Sequence, residues 1–315
     1  MIEIKKLLNR NFIIFDIGSS FAKESKIIKK FSSEITYVEI DAISLSKIEN
    51  QVLHKNIQIK KGIHTESGTK DFIERKYIET SSFLDILPNM EKTYGMEYHF
   101  MTKQIHKMEC TTVNEIMTEN NLTQIDFLKT DIEGLDFEII KSIENRLDKV
   151  NVIKSEVRFQ PFYVSEPPFY EVCQYLADRG FEFINFSVLD EWKPKTTHQK
   201  KFRDGRLVMA DFVFFRILNQ SSPSYISDLT KQIIIAKSLN LNSYSEFLLE
   251  SNKSSFETSL FNELKSEIDT QHLFESVLNF IFCQISKTKL IHPIRKTLKY
   301  LYQRSRINDF FPQGL

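Results

Sequence analysis

The segment Ile125-Asp-Phe-Leu-Lys-Thr-Asp-Ile-Glu-Gly134 restricts the possible folds more than any other part of the chain. Its first half is a short apolar run, the pattern of a strand covered on both faces. Its second half puts Lys129, Asp131 and Glu133 at the strand's end, and Gly134 leads into a helical pattern over Leu135–Leu147. A strand, a turn and a helix in this order belong to a mostly parallel sheet with helices on both faces. Three charges at the end of a buried strand need a ligand, a partner or solvent. They also suit a helix start, where a carboxylate favours the helix dipole. Residue types alone leave both readings open.

The same alternation runs through the first two-thirds of the chain. Strands are expected at Asn11–Ile17, Glu34–Ile40, Asn56–Gly62, Gln124–Thr130 and Val150–Val157. Helices are expected at Ser19–Phe31, Ala42–Lys55, Thr112–Asn121 and Pro167–Arg179, the last stopped by Gly180. Between Ile63 and Thr112 the pattern weakens to short strands and an irregular insertion around Asn89–His99. Phe181–Leu189 and Leu207–Ile217 read as strands with no helix between them, which predicts an antiparallel edge strand. Ser221-Ser-Pro-Ser224 breaks the alternation, and a helical pattern follows. Residues 1–220 are therefore expected to form an α/β domain, and residues 221–315 a helical C-terminal extension.

Three other strand ends carry chemistry. Asp16-Ile-Gly18-Ser19-Ser20 lies at the first strand-to-helix turn. Ligands of open α/β sheets bind beyond such carboxyl ends, and glycine lets backbone come close there. Glu39 ends the second strand, 23 residues after Asp16. A carboxylate at that place can accept hydrogen bonds from two ribose hydroxyls. No glycine-rich phosphate cradle is present, so a nucleoside cofactor without a pyrophosphate fits better than NAD or ATP. Glu156 ends the fifth strand, where it would lie beside Asp131 and Glu133 or form an ion pair with Arg158 or Lys129.

Taken in order, these segments resemble the FkbM family of S-adenosylmethionine-dependent methyltransferases. Asp126–Gly134 matches in full the family's central pattern, Asp-Phe-x-Lys-x-Asp-x-Glu-Gly. Asp16-Ile-Gly-Ser-Ser-Phe-Ala22 is similar to its first pattern, with Ser19 and Ser20 for Ala-Asn and Ala22 for a second glycine. Val38-Glu39-Ile40 stands for its Phe-Glu-Pro, and Glu156–Tyr163 and Met209–Arg216 look like later landmarks. The resemblance implies a Rossmann-like class I methyltransferase sheet and S-adenosyl-L-methionine as cofactor. It places Asp16, Gly18, Ser19 and Ser20 along the methionine part, Glu39 on the ribose, and Asp131, Glu133 and Glu156 as catalytic groups facing the acceptor. It also implies O-methylation of a sugar, glycan or other small hydroxylated acceptor. Two other readings remain: a nucleotide-sugar or NAD-dependent oxidoreductase, and a non-catalytic cofactor-binding module of the same fold.

Composition narrows the partners. Lys plus Arg and Asp plus Glu total 42 each, so no global basic field points to nucleic acid. Cys110, Cys173 and Cys283 are scattered, without metal-ligand spacing, and no histidine pair has such spacing either. His198, in the lysine-rich loop Lys193–Lys201, is a second candidate base. The apolar run Phe12–Phe15 is too short for a secretory signal, and no stretch reaches the ~18–20 apolar residues of a membrane span. A cytoplasmic protein is expected. Lys287–Arg306 holds seven basic residues and no acidic one on a helical pattern, which allows peripheral contact with a membrane surface.

Overall fold

The computed structural model describes residues 2–9, 11–18, 30–43, 53–196 and 205–269. The N-terminal helix α1 (Ile2–Leu8) is followed by β1 (Phe12–Ile17), β2 (Ile35–Ile40) and β3 (Lys55–Ile59). Then come β4 (Gly62–Ile63), β5 (Gly68–Arg75), α2 (Met90–Tyr94), α3 (Glu97–Phe100) and β6 (Thr102–Thr111). The second half runs α4 (Val113–Glu119), β7 (Ile125–Thr130), α5 (Asp136–Ser142), β8 (Val150–Arg158), α6 (Phe169–Ala177), β9 (Phe181–Trp192), β10 (Arg206–Arg216), α7 (Tyr225–Ser238) and α8 (Asn242–Ser251), and residues 258–269 are helical again.

Seven strands form the main sheet in the order β3-β2-β1-β7-β8-β10-β9. The first five are parallel, and β10 runs antiparallel to both of its neighbours. The last two strands do pair antiparallel, as expected from the missing helix between them. The position of the reversed strand needs correction, however: β10 inserts between β8 and β9, so the edge strand β9 points the same way as the parallel five. A short connection can return the chain to the space beside β8 only by running back along it.

Alternate residues of each strand serve opposite faces. One face packs Phe12, Ile14, Phe127, Val152 and Val213 against Ile4 and Leu8 of α1 and Leu229 and Ile233 of α7. The other packs Phe15, Leu128, Ile153 and Phe212 against Ile116 of α4, Ile139 of α5 and Leu176 of α6. Both faces are covered, which is why β1, β2 and β7 are buried along their whole length. The expected helix Thr112–Asn121 is α4, opened by a capping box in which Thr112 Oγ1 accepts from Glu115 N.

Asp126 has a role the sequence did not suggest. It is the second residue of β7, far from the carboxyl end, and is fully buried. Its carboxylate accepts from Ile13 N at 2.8 Å, Asn151 Nδ2 at 3.1 Å and Lys231 Nζ at 3.0 Å. Lys231 lies on α7, so a helix after residue 220 is tied into the sheet by a buried ion pair.

The weak-pattern region forms a second, three-stranded sheet, ordered β4-β6-β5. Most of β6 is exposed, so no core face imposed an apolar alternation on its sequence. The expected third strand ends at Ile59, and Gly62 already belongs to this second sheet. The expected helices Ser19–Phe31 and Ala42–Lys55 lie mostly outside the described residues, as do the loop with His198 and the whole of Lys287–Arg306.

Candidate active site

One row of polar side chains crosses the carboxyl half of the sheet. Register pairs Gln58 with Glu39, Glu39 with Asp16, Asp16 with Lys129, and Lys129 with Lys154. Register partners in a parallel sheet point to the same face, so the five side chains share one side. Gln58 Nε2 donates to Glu39 Oε2 at 2.8 Å, and Tyr37 Oη donates to Asp16 Oδ2 at 2.5 Å. Lys129 Nζ lies 3.4 Å from Asp16 Oδ1 and 3.2 Å from Asp131 Oδ2, and it donates to Gly18 O at 2.8 Å. Burial alone would lower the Lys129 pKa, but Asp131, Asp16 and Asp211 outweigh it and keep the ammonium charged. Lys154 pairs with Asp211 of β10 at 2.8 Å.

The turns after β1 and β7 meet above this row. Gly18 has φ +77°, and a Cβ there would stand 1.9 Å from Asp131 O and 2.8 Å from Asp131 C. Sequence reasoning assigned Gly18 the close approach of a ligand; the approach seen is that of the neighbouring turn. Gly18 N also donates to Ile40 O at 3.0 Å, so the turn is held between the ends of β2 and β7. In the second turn Glu133 (φ +50°) and Gly134 (φ +95°) are both left-handed. A non-glycine residue in that region is strained and persists only where its surroundings hold it. Here Ser82 Oγ, reaching from the segment after β5, donates to Glu133 O at 2.6 Å.

Beside this turn Arg158, at the end of β8, is buried among three carboxylates. Its Nη2 is 2.5 Å from Glu133 Oε2 and 2.5 Å from Glu156 Oε1, and its Nη1 is 2.9 Å from Glu166 Oε1. Tyr163 Oη donates to Glu133 Oε2 at 2.8 Å, and its ring lies 4.9 Å from the guanidinium. Burial pushes the Glu133 and Glu156 carboxyls up, Arg158 pulls them down, and nearby carboxylates push them up again. One guanidinium cannot balance three buried charges, so Glu133 and Glu156 hold a proton more readily than ordinary glutamates.

The structure therefore puts Asp16, Glu39, Asp131, Glu133 and Glu156 at one sheet edge, in two connected groups. Asp16 and Asp131 meet at Lys129, Glu133 and Glu156 meet at Arg158, and Glu39 is one strand out. Ser19 and Ser20 lie outside the described residues. Sequence reasoning missed Glu166 and Tyr163, although Tyr163 closes the landmark segment that starts at Glu156. Among the described residues, no group of three His, Cys, Asp or Glu side chains is arranged to hold a metal ion.

Asp136, the first residue of α5, is buried and accepts from Ile132 N at 3.3 Å. Burial, reinforced by Asp131, pushes its carboxyl up to about 7. The folded chain then keeps a proton there that an unfolded chain releases near pH ~4. Stability falls as pH rises between those two values, and the penalty is complete above the higher one. Asp136→Asn keeps an acceptor oxygen and removes the charge. Its melting temperature is expected several degrees above the parent chain's at about pH 8 and level with it at about pH 4, as thermal melts will check.

A family model described as the methyltransferase FkbM domain matches residues 16–183, just over half of the chain. No curated protein and no solved structure matches.

Proposed function

The chain belongs to the FkbM methyltransferase family, and from that premise we propose that it is an S-adenosylmethionine-dependent O-methyltransferase of the cytoplasm that acts on a hydroxyl of a sugar, glycan or similar small acceptor. The observation that carries the reading is the convergence of Asp16, Glu39 and Asp131 beside Gly18, at the carboxyl edge of a mostly parallel sheet. The strand order, with one reversed strand next to the far edge, supports a class I methyltransferase sheet. Among the described residues no helix is long and apolar enough to cross a membrane.

The donor set fits the cofactor. Glu39 is an acceptor-only group, suited to ribose hydroxyls, at the end of β2. Asp16 and Asp131 suit an ammonium and a sulfonium, and the turn at Gly18 is too closely packed to cradle a pyrophosphate. When bound, S-adenosylmethionine supplies a methyl group already activated by the sulfonium. The protein's task is to align an acceptor oxygen with it, and orientation of this kind contributes about 7–11 kcal/mol at best. Asp131 is the most exposed of the three candidate catalytic carboxylates, and it takes the proton of the acceptor hydroxyl. Lys129 holds that carboxylate from below. Glu133 and Glu156 share Arg158 and a tendency to stay protonated, so they bind acceptor hydroxyls as donor and acceptor.

Calorimetry with S-adenosylmethionine, S-adenosylhomocysteine and NAD tests the cofactor: binding of the first two and not the third is expected, and the reverse would establish the oxidoreductase reading. Transfer of labelled methyl to a panel of sugars and other small alcohols tests the reaction. Asp131→Asn is expected to lower turnover at least ~100-fold while cofactor still binds. Undiminished turnover would remove Asp131 from the mechanism.

A further inference from the structure

The contacts of Lys129 with Asp16, Asp131 and Gly18 have a meaning beyond holding two turns together. Its ammonium is buried between Asp16 and Asp131 and bonded to Gly18 O, on the polar row where the cofactor's methionine part is proposed to lie. A buried charge acts on its neighbours through a low dielectric and is screened little by salt. Methyl transfer removes charge at two places in that neighbourhood, the positive charge of the sulfur and the negative charge of the carboxylate that takes the proton; the affinity of cofactor against product reads the first of them alone. The acceptor oxygen forms the new O–CH3 bond, the S–CH3 bond breaks with its electron pair kept by sulfur, and the hydroxyl proton goes to a carboxylate. Sulfur passes from a cation to a neutral thioether. A fixed cation nearby penalises the first state more than the second.

We infer that Lys129 is a charge-setting residue: its ammonium offsets the Asp16 and Asp131 carboxylates, so that the crevice does not hold the sulfonium cofactor far more tightly than its neutral product. Without it, two carboxylates would stabilise the ground-state cation, and stabilisation lost along the reaction raises the barrier. With it, the field favours dispersal of positive charge from sulfur. The inference rests on the proposed cofactor, but it concerns the ratio of two affinities, which a general loosening of the site does not change.

The test is calorimetry of the full chain with S-adenosylmethionine and S-adenosylhomocysteine, the affinity ratio being the readout. Lys129→Gln is expected to shift that ratio at least about tenfold toward S-adenosylmethionine, a lower bound for one unit charge acting across a partly buried site. Lys129→Arg is expected to keep the parent ratio. If Lys129→Gln does not fold because Asp16 and Asp131 are left unbalanced, the double variant Lys129→Gln/Asp131→Asn restores the net charge, and its ratio is expected to match the parent's. An unchanged ratio in folded Lys129→Gln, or a double variant that departs from the parent by as much as tenfold, would overturn the inference. Failure of the parent chain to bind either compound would instead overturn the cofactor assignment.

Discussion

Alanine at position 18 is expected to lower the melting temperature by roughly 4 °C or more, the shift that follows from a loss of about 3 kcal/mol in a chain of this size. Two costs combine. A left-handed backbone costs a residue with a Cβ about 1–2 kcal/mol relative to glycine. The added carbon would also stand 1.9 Å from Asp131 O and 2.8 Å from Asp131 C, both backbone atoms. Backbone cannot swing aside as the end of a side chain can, and overpacking of this kind costs typically ~1–3 kcal/mol. Asp131 would have to retreat from Lys129, so cofactor affinity is expected to fall with stability. Thermal melts and calorimetry check both, and an unshifted melting curve would show that the two turns do not pack as described.

Arg158→Met is the second large effect. Methionine occupies much of the same space, so the loss is mainly of charge. Glu133, Glu156 and Glu166 would remain buried without their common cation. Removing one partner of a buried ion pair costs about 3–5 kcal/mol. The cost depends on pH, and the sign is fixed by which state binds protons. Without the guanidinium the Glu133 and Glu156 carboxyl pKa values rise further in the folded state, so the folded variant binds protons that the unfolded chain releases. The deficit is therefore largest at neutral pH and shrinks as pH falls toward the unfolded carboxylate range, about 4. Melting curves of both chains between those limits are expected to converge on the acidic side. A deficit that did not vary with pH would mean that Arg158 acts by packing on Tyr163 and not by charge.

These two positions also show what the sequence made legible. β1, β2, β7 and β8 were readable because strands buried on both faces must be apolar throughout. The strand ends were readable because Asp16, Glu39, Asp131 and Glu156 interrupt such runs where a crevice can use them. Partner choice was not readable. Glu156 was open to pairing with either Arg158 or Lys129, and only the register of β8 beside β7 sends Lys129 to Asp16 and Asp131 instead. Glu166 reaches Arg158 from the loop before α6, with no local pattern to signal it. Asp126 belongs to the most specific segment of the chain and yet serves the fold, since its lysine partner lies 105 residues downstream. The second sheet stayed hidden because its strands bury too little to leave an alternation.

The place of β10 constrains how the chain can be built. Among the described strands β9 pairs with β10 alone, and β10 is made after it. The segment that matches the family model stops at residue 183, inside β9 and before β10. During vectorial synthesis the five parallel strands can therefore assemble while β9 waits beside them with a bare backbone edge. An apolar strand in that state is prone to pair with other chains. Only when residues up to 216 have left the ribosome can the far side of the sheet close, and Lys231 must follow before Asp126 has its buried counter-charge. A fragment cut to the matched segment, which starts inside β1 and stops inside β9, would lack most of both strands and could not close the sheet at all.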